Sequence, residues 1–397
     1  MNPIFKGIRV LDLGRFVAAP YAATLLGDYG AEVIRVERSG GDDDRTVGLP
    51  SATGDTFLFL NVARKKKAIT LNYMTNKKAL DVLMELTRKS DVVVQNFTSS
   101  IAKQVGIDYE KMSAVNPRIV YYENSAFGST GPYADRLGFD PLAQAISGLM
   151  AITGFKDLPP LRTPFPFVDF STAVLGAFGI ASALYQRTVT GKGSKVETSL
   201  LKTAVAINST ALSEYEATGK IRTRKGNTGL YAAPADSYQT KDGRWIIVLI
   251  VNAGHFKRFC SMVKREDLLA RKELMNPYNR YLHKDELETL TKEWVGARTA
   301  EEVEAEFRKA RIPCCRVYEI PEVLKDPQVI SQEAMVDVDC REAGQVKLIG
   351  TPVRLGEERP DINFPPPRLG EHNREIYCGL LGYSESDLAR LKEEGII

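Results

Sequence analysis

Excess charge of either sign is what this chain has least of: 53 basic residues stand against 50 acidic ones in 397, a formal net charge of +3. Such a balance gives no basic face for a nucleic-acid backbone, so no nucleic-acid partner is expected, although a slight positive excess suits a small phosphate-bearing molecule. Histidine is scarce too. The three present, His255, His283 and His372, are widely scattered without metal-ligand spacing, so no metal is expected. Five cysteines are too few and too oddly placed for a disulfide framework, Cys314 and Cys315 being adjacent. Reduced thiols in the cytoplasm are expected, with the Cys pair as buried packing. The opening MNPIFKGIRVLDL lacks the basic, apolar and small-residue regions of a signal peptide. The longest uncharged apolar window, after Asp169, is expected to fall short of the roughly 20 residues a bilayer requires, so no membrane partner is expected. Internal repeats and low-complexity tracts are lacking as well.

What is present reads as an α/β protein. Residues 9–13, 20–29 and 31–37 form a strand, a helix and a strand, the opening of a doubly wound parallel sheet. The first turn, GRFVAAP, has Gly14 alone and no G-x-G-x-x-G, which argues against a dinucleotide enzyme. SGGDDDRTVGLP reads as a loop, either a solvated connection or a substrate-facing one. The run Arg64-Lys65-Lys66-Lys67 is either a solvated face or a site for nucleotide phosphates. A strand at 68–72 ends near Leu71 and Asn72, and a helix at 77–89 leads to a strand at 91–95 that ends at Asn96-Phe97. Loops beyond the carboxyl ends of parallel strands are where such sheets bind ligands. After a strand at 119–122, Gly128, Gly131 and Pro132 make a turn-prone segment able to close over a ligand. Asp140 and Gln144, four apart, share one face of a helix; on their own they read as a capping carboxylate and a solvent-facing amide.

The chain is organised around residues 163–200. Asp169 heads a helix crowded with small residues, Ala173, Gly176, Ala177, Gly179, Ala181, Ser182 and Ala183, which suits a closely packed, buried interior. A two-glycine turn and a strand at 195–200 follow. An aspartate at a helix start is either an N-cap or something more reactive, and the helix dipole there favours its ionised form.

The run D-F-S-T-A…G-A-F-G-I-A-S-A-L-Y-Q-R-T-V-T-G-K-G resembles the signature of the family III CoA-transferases, the group of formyl-CoA transferase and carnitine CoA-transferase. LDLGRFVAAPYAATLLGDYGAEVIRVER and SAFGSTGPYADRLGFDPLAQAISGLMAITG are similar to the same family. The resemblance implies that Asp169 is the nucleophile, supported by Asp140 and Gln144, and that CoA is held by Val17, Ala18, Arg38, Leu71, Asn72, Asn96, Phe97 and Arg136. Where the family carries an arginine the chain has Gln104, and Lys103 is the expected substitute. The implied reaction moves CoA from an acyl-CoA to a free carboxylic acid through aspartyl anhydride and aspartyl-CoA thioester intermediates, with no permanently bound cofactor. The related α-methylacyl-CoA racemases share the fold and are the alternative, but they need a histidine where this chain has Phe139. The glycine run that some members carry in the smaller domain is missing, which weighs against a formyl- or oxalyl-specific enzyme.

The domain organisation expected is a large CoA-binding domain over 1–200, a linker over 201–226 that opens with a helix through about Ala217 and then becomes turn-rich and basic, a smaller α+β domain over 227–318 with a hairpin at 236–251, and a return to the large domain over 319–397. The resemblance further implies an interlocked homodimer. His372, in a C-terminal loop, reads as structural.

Overall fold

The computed structural model describes residues 3–229, 231–356, 360 and 362–397. The chain divides into two compact units: Met1–Met150, Arg162–Ile221 and Pro327–Ile397 form the larger, and Ala151–Leu161 with Arg222–Asp326 the smaller.

In the larger unit the elements run β1 (Arg9–Asp12), α1 (Ala18–Asp28), β2 (Glu32–Glu37), α2 (Phe57–Ala63), β3 (Lys67–Thr70), α3 (Lys77–Arg88), β4 (Val92–Gln95), α4 (Ser99–Val105), α5 (Tyr109–Val115), β5 (Val120–Ser125) and α6 (Asp140–Ile146). After the short α7 (Leu149–Ile152) come α8 (Phe167–Thr190), β6 (Ser194–Ser199), α9 (Leu200–Ile207) and α10 (Ser209–Thr218). The six strands form one parallel sheet in the order β3-β2-β1-β4-β5-β6. Leu11 pairs with Ile34 on one side and Val93 on the other, so the order reverses beside β1. Both faces are covered, which is why the strands are nearly continuous apolar runs. Strand alternation sends Val10, Val33, Val92, Val94 and Tyr122 toward α1 and α8. It sends Leu11, Ile34, Val93 and Tyr121 toward α3 and the C-terminal residues Ile376, Tyr377, Leu388 and Ile397. His372 ties the C-terminal segment to the sheet: its Nδ1 accepts from the Ala68 N–H at 3.2 Å, and its own N–H donates to the Ala68 carbonyl.

The small residues of α8 permit close packing. A Cβ on Gly176 would lie 2.3 Å from the Tyr122 hydroxyl, and one on Gly179 2.7 Å from Val196. The uncharged stretch, residues 170–186, is shorter than a bilayer requires, although the helix as a whole has 24 residues and is long and apolar enough to span one by length and composition; it packs on α1, β5 and β6, and its Arg187 pairs with Asp91 at 2.9 Å. One expectation needs correction: the helix is buried on one face only. Val174, Leu175, Phe178, Tyr185 and Val189 are exposed, Phe178 at 71% and Val189 at 76%.

The two charged stretches turn inward. Asp42, Asp44 and Arg45 of the acidic loop are buried, Asp44 against Arg35 at 2.8 Å and Arg45 against Glu37 at 2.7 Å. Of the basic run, Arg64 is spent on Asp28 at 2.7 Å and Lys66 on Asp12 at 2.8 Å, both pairs fully buried. The basic run is therefore not a solvated face, while the acidic loop keeps Ser39, Gly40, Asp43 and residues 46–50 exposed around its buried charges. The helix expected through about Ala217 is present as α9 and α10, so the turn-rich linker is confined to the residues after Thr218.

The smaller unit has an antiparallel sheet of β7 (Ala235–Gln239), β8 (Trp245–Leu249) and β9 (Cys314–Arg316), with helices including α11 (Ala253–Met262), α12 (Pro277–Leu282), α13 (Lys284–Gly296) and α14 (Ala300–Lys309). Phe256, Phe259, Val303 and Phe307 fill its core. Residues 151–161 join it because Arg224 donates to the Phe155 and Lys156 carbonyls, and the Gly226 N–H to that of Gly154. Cys314 is half-buried and Cys315 exposed, so the pair is not simply core packing; all five cysteines are free.

Candidate functional site

Four parallel strands deliver residues to one cavity of about 210 Å³ in the larger unit. The loop after β1 supplies Arg15, Phe16 and Val17, that after β4 supplies Asn96, Phe97 and Thr98, the end of β5 supplies Asn124, Ser125 and Ala126, and Leu200 follows β6. Ile101 of α4, residues 136–139 and Asp169 complete the lining. The site therefore lies outside the carboxyl ends of the strands, around the β1/β4 reversal, where open α/β sheets bind ligands.

Local chemistry fixes each wall. Gly14 is required because a Cβ there would stand 2.8 Å from Ala19 and 2.9 Å from Pro20. The next residues are gripped by side chains. The Gly14 N–H donates to Asp12 Oδ1 at 2.9 Å, the Arg15 N–H to Asn96 Oδ1 at 2.9 Å, and the Phe16 N–H to Asp44 Oδ2 at 3.0 Å. Those bonds hold Phe16 at φ 63°, a left-handed conformation unfavourable to an aromatic residue. Its ring meets Phe139 edge-on at 5.3 Å. Opposite, the Phe97 N–H donates to Gln95 Oε1 at 2.6 Å, and Thr98 caps α4.

Asp169 is the third residue of α8, so it is not the cap of that helix. Asp140, 2% exposed, caps it from α6: its Oδ2 accepts the N–H of Val168 at 2.7 Å and of Asp169 at 3.0 Å. Gln144 Nε2 donates to the other oxygen of Asp140, while its Oε1 accepts from the Thr163 N–H at 2.9 Å. Gln144 is thus buried and not solvent-facing. Because Asp140 takes the helix donors, Asp169 gains little from them; burial, and then the Asp140 charge, push its carboxyl up to about 7. The expectation that the dipole keeps Asp169 firmly ionised is corrected accordingly. It is the single acid among the described residues lining the cavity, and no histidine lines it.

The cavity brings together Val17, Asn96, Phe97, Arg136 and Asp169 of the residues expected from the sequence. Ala18 stands just behind, as the first residue of α1. Leu71 is wholly in the core. Asn72 pins neighbouring chain, its Oδ1 accepting from the Ser39 N–H at 3.0 Å and its Nδ2 donating to the Gly395 carbonyl at 2.8 Å. Arg38 pairs with Asp42 at 3.1 Å and Asp43 at 2.8 Å and is 43% exposed. Lys103 is exposed on α4. Arg15, Phe16, Asn124 and Ser125 were not singled out from the sequence. The signal for the first two was the single glycine of the GRFVAAP turn, read above only as a missing phosphate loop.

A doubly wound sheet with a ligand-sized cavity at its switch point, lined by one part-buried carboxylate, has the architecture of an enzyme site. More particularly, this chain belongs to CoA-transferase family III, whose sequence model matches residues 5–373. It is 34% identical to succinyl-CoA–D-citramalate CoA-transferase of Chloroflexus aurantiacus, over 98% of this chain and 97% of that one. It is 32% identical to succinyl-CoA:glutarate CoA-transferase of Mus musculus, over 100% and 91%. Among solved structures, a CAIB/BAIF family protein from Brucella suis superposes with a TM-score of 0.83 at 29% identity, covering 96% of this chain and all of that one. The protein is therefore an enzyme, a family III CoA-transferase acting on CoA thioesters.

Proposed function

We propose that the protein moves CoA from an acyl-CoA donor to a free carboxylic acid with Asp169 as nucleophile. The observation that carries this reading is that Asp169 is the one described acid facing the cavity. An Asp169 oxygen attacks the thioester carbonyl, the C–S bond breaks, and a mixed anhydride and CoA thiolate result. The thiolate attacks the Asp169 carbonyl carbon and releases the donor acid as carboxylate, leaving an aspartyl-CoA thioester. The acceptor carboxylate displaces the thiolate to give a second anhydride. Attack of the thiolate on the acceptor's acyl carbon then yields the new acyl-CoA and restores Asp169. One negative charge is conserved throughout, so no proton donor is needed. Asp140 and Gln144 act by holding the start of α8 in place.

Asn96, Phe97, Val17 and Ala18 take the thiol end of CoA in this reading, with Arg136 at the cavity rim and Arg38, Asn72 and Lys103 reaching for its phosphates. Because both relatives named above use succinyl-CoA by name, that thioester is the first donor to assay. The exposed apolar side chains of α8 support a homodimer, which we take to be interlocked and cytoplasmic.

The test is Asp169→Asn. The variant should fold, bind CoA and lose transfer by roughly a thousandfold or more, since an amide is no substitute for the carboxylate nucleophile. In the wild type incubated with acyl-CoA, hydroxylamine should convert Asp169 into a hydroxamate detectable by peptide mass spectrometry. Substantial residual transfer, or a label consistently on Asp140, would overturn the mechanism.

A further inference from the structure

Two guanidinium groups line the cavity, and their surroundings differ. Arg136 is exposed, its guanidinium stacked 3.9 Å over the Tyr133 ring. Arg15 is drawn inward. Its side chain is 20% exposed, its backbone is held from both sides by Asn96, and its guanidinium lies 5.1 Å from the centre of the Phe97 ring. Among the described residues its ion pair is with Asp42, at 3.5 Å, and that carboxylate is divided: Oδ1 also accepts from Arg38 Nε at 3.1 Å, and Oδ2 lies 3.9 Å from Arg35. Arg15 Nε is buried with no hydrogen-bond partner. A buried charged donor left unmade is costly, and a guanidinium fork matches a carboxylate in geometry. Phe16, Val17, Ile101 and Leu200 around it are apolar, and Asp169 is the acid across the same cavity. An anionic acyl group entering beside Asp169 would be repelled unless an interior cation met its charge.

We propose that Arg15 determines acyl specificity, its guanidinium turning its unpartnered Nε toward the cavity to receive the second, non-reacting carboxylate of a dicarboxylic acyl group. This rests on the CoA-transfer reading above. A CoA phosphate is an oxyanion too, but the exposed Arg136 at the rim is better placed for phosphates than a residue walled in by Phe97 and Phe16.

Succinyl-CoA and butyryl-CoA differ in a terminal carboxylate against a methyl group and share everything else. In Arg15→Gln the ratio of kcat/KM for succinyl-CoA to that for butyryl-CoA should fall at least tenfold, with partial recovery in Arg15→Lys. An equal loss on both donors would assign Arg15 to CoA or to the loop's fold, and an unchanged ratio would deny it any role; either overturns the proposal. A second readout needs no turnover. Titrating succinate and butyrate into the CoA-loaded protein should show at least tenfold tighter succinate binding in the wild type, abolished in Arg15→Gln while the thermal midpoint is retained. Equal affinities in the wild type would overturn the Arg15 assignment even if transfer were observed. A succinate preference that depends on Arg15, in a protein transferring CoA from neither donor, would refute the transfer reading alone.

Discussion

In the proposed mechanism Asp169 must be ionised to attack, yet burial and the Asp140 charge hold its carboxyl up to about 7. Below that value the acid form predominates, so kcat/KM for the donor should rise with pH through about 7 and lose about tenfold for each unit below it. The Asp140→Asn change removes the second cause of the shift while keeping an oxygen for the Val168 and Asp169 N–H groups. Its acid limb should move toward the ordinary carboxylate range, as a pH–rate profile will show. The linkage sign is equally definite. A carboxyl whose pKa is higher folded than unfolded binds more protons in the native state between the two values, so its contribution to stability falls as pH rises from about 4 to about 7. Asp169→Asn should therefore be more stable than the wild type at pH 8, by up to about 4 kcal/mol, with the gap narrowing as pH falls toward 4; a thermal melt series at pH 8 and pH 5 checks it.

At the scale of elements, α8 approaches the sheet closely where Gly176 and Gly179 carry no side chain. Gly176→Ala puts a Cβ 2.3 Å from a hydroxyl on the wholly buried Tyr122, whose own bond to Thr198 Oγ1 at 2.7 Å ties it in place. The gain of up to about 1 kcal/mol in helix propensity does not offset that overpacking, and a net loss of about 1–3 kcal/mol should appear as a lower urea midpoint. Local period and turn chemistry were enough to read the six strands of the sheet from the sequence, down to the Asn96-Phe97 end of β4, but not the short helices α2, α4 and α5, each only seven residues long. They could not show which face of α8 stays open, because its apolar residues run all round and carry no direction. Nor could they show that Asp44 meets Arg35, or Lys66 meets Asp12, since those pairings exist only once the loops have crossed the sheet. For the same reason the capping of α8 fell to Asp140, 29 residues before Asp169, when the sequence offered Asp169 itself. Arg15 was passed over because its value lies in an unfilled donor, which has no sequence signature.

Taken as a whole molecule, the larger unit exposes a row of large apolar side chains along α8, with Phe178, Tyr185 and Val189 each more than two-thirds open. Apolar surface of that kind suits a protein interface and supports the homodimer proposed above. Sedimentation velocity at micromolar concentration should give a species of twice the chain mass, and charged substitutions at Phe178 and Val189 should reduce it or make the protein insoluble. A stable, soluble wild-type monomer would contradict the assembly.

The sheet face that carries Leu11, Val93 and Tyr121 is closed by Ile376, Tyr377, Leu388 and Ile397, and the Asn72 N–H donates to the Ile396 carbonyl. Residues near the first strand thus wait for residues near position 397 before their common face is dry. During translation at roughly 5–20 residues per second, that interval lasts on the order of tens of seconds. Through the later part of it α3 covers part of that face, and a chain cut before residue 376 would leave the remainder open to water.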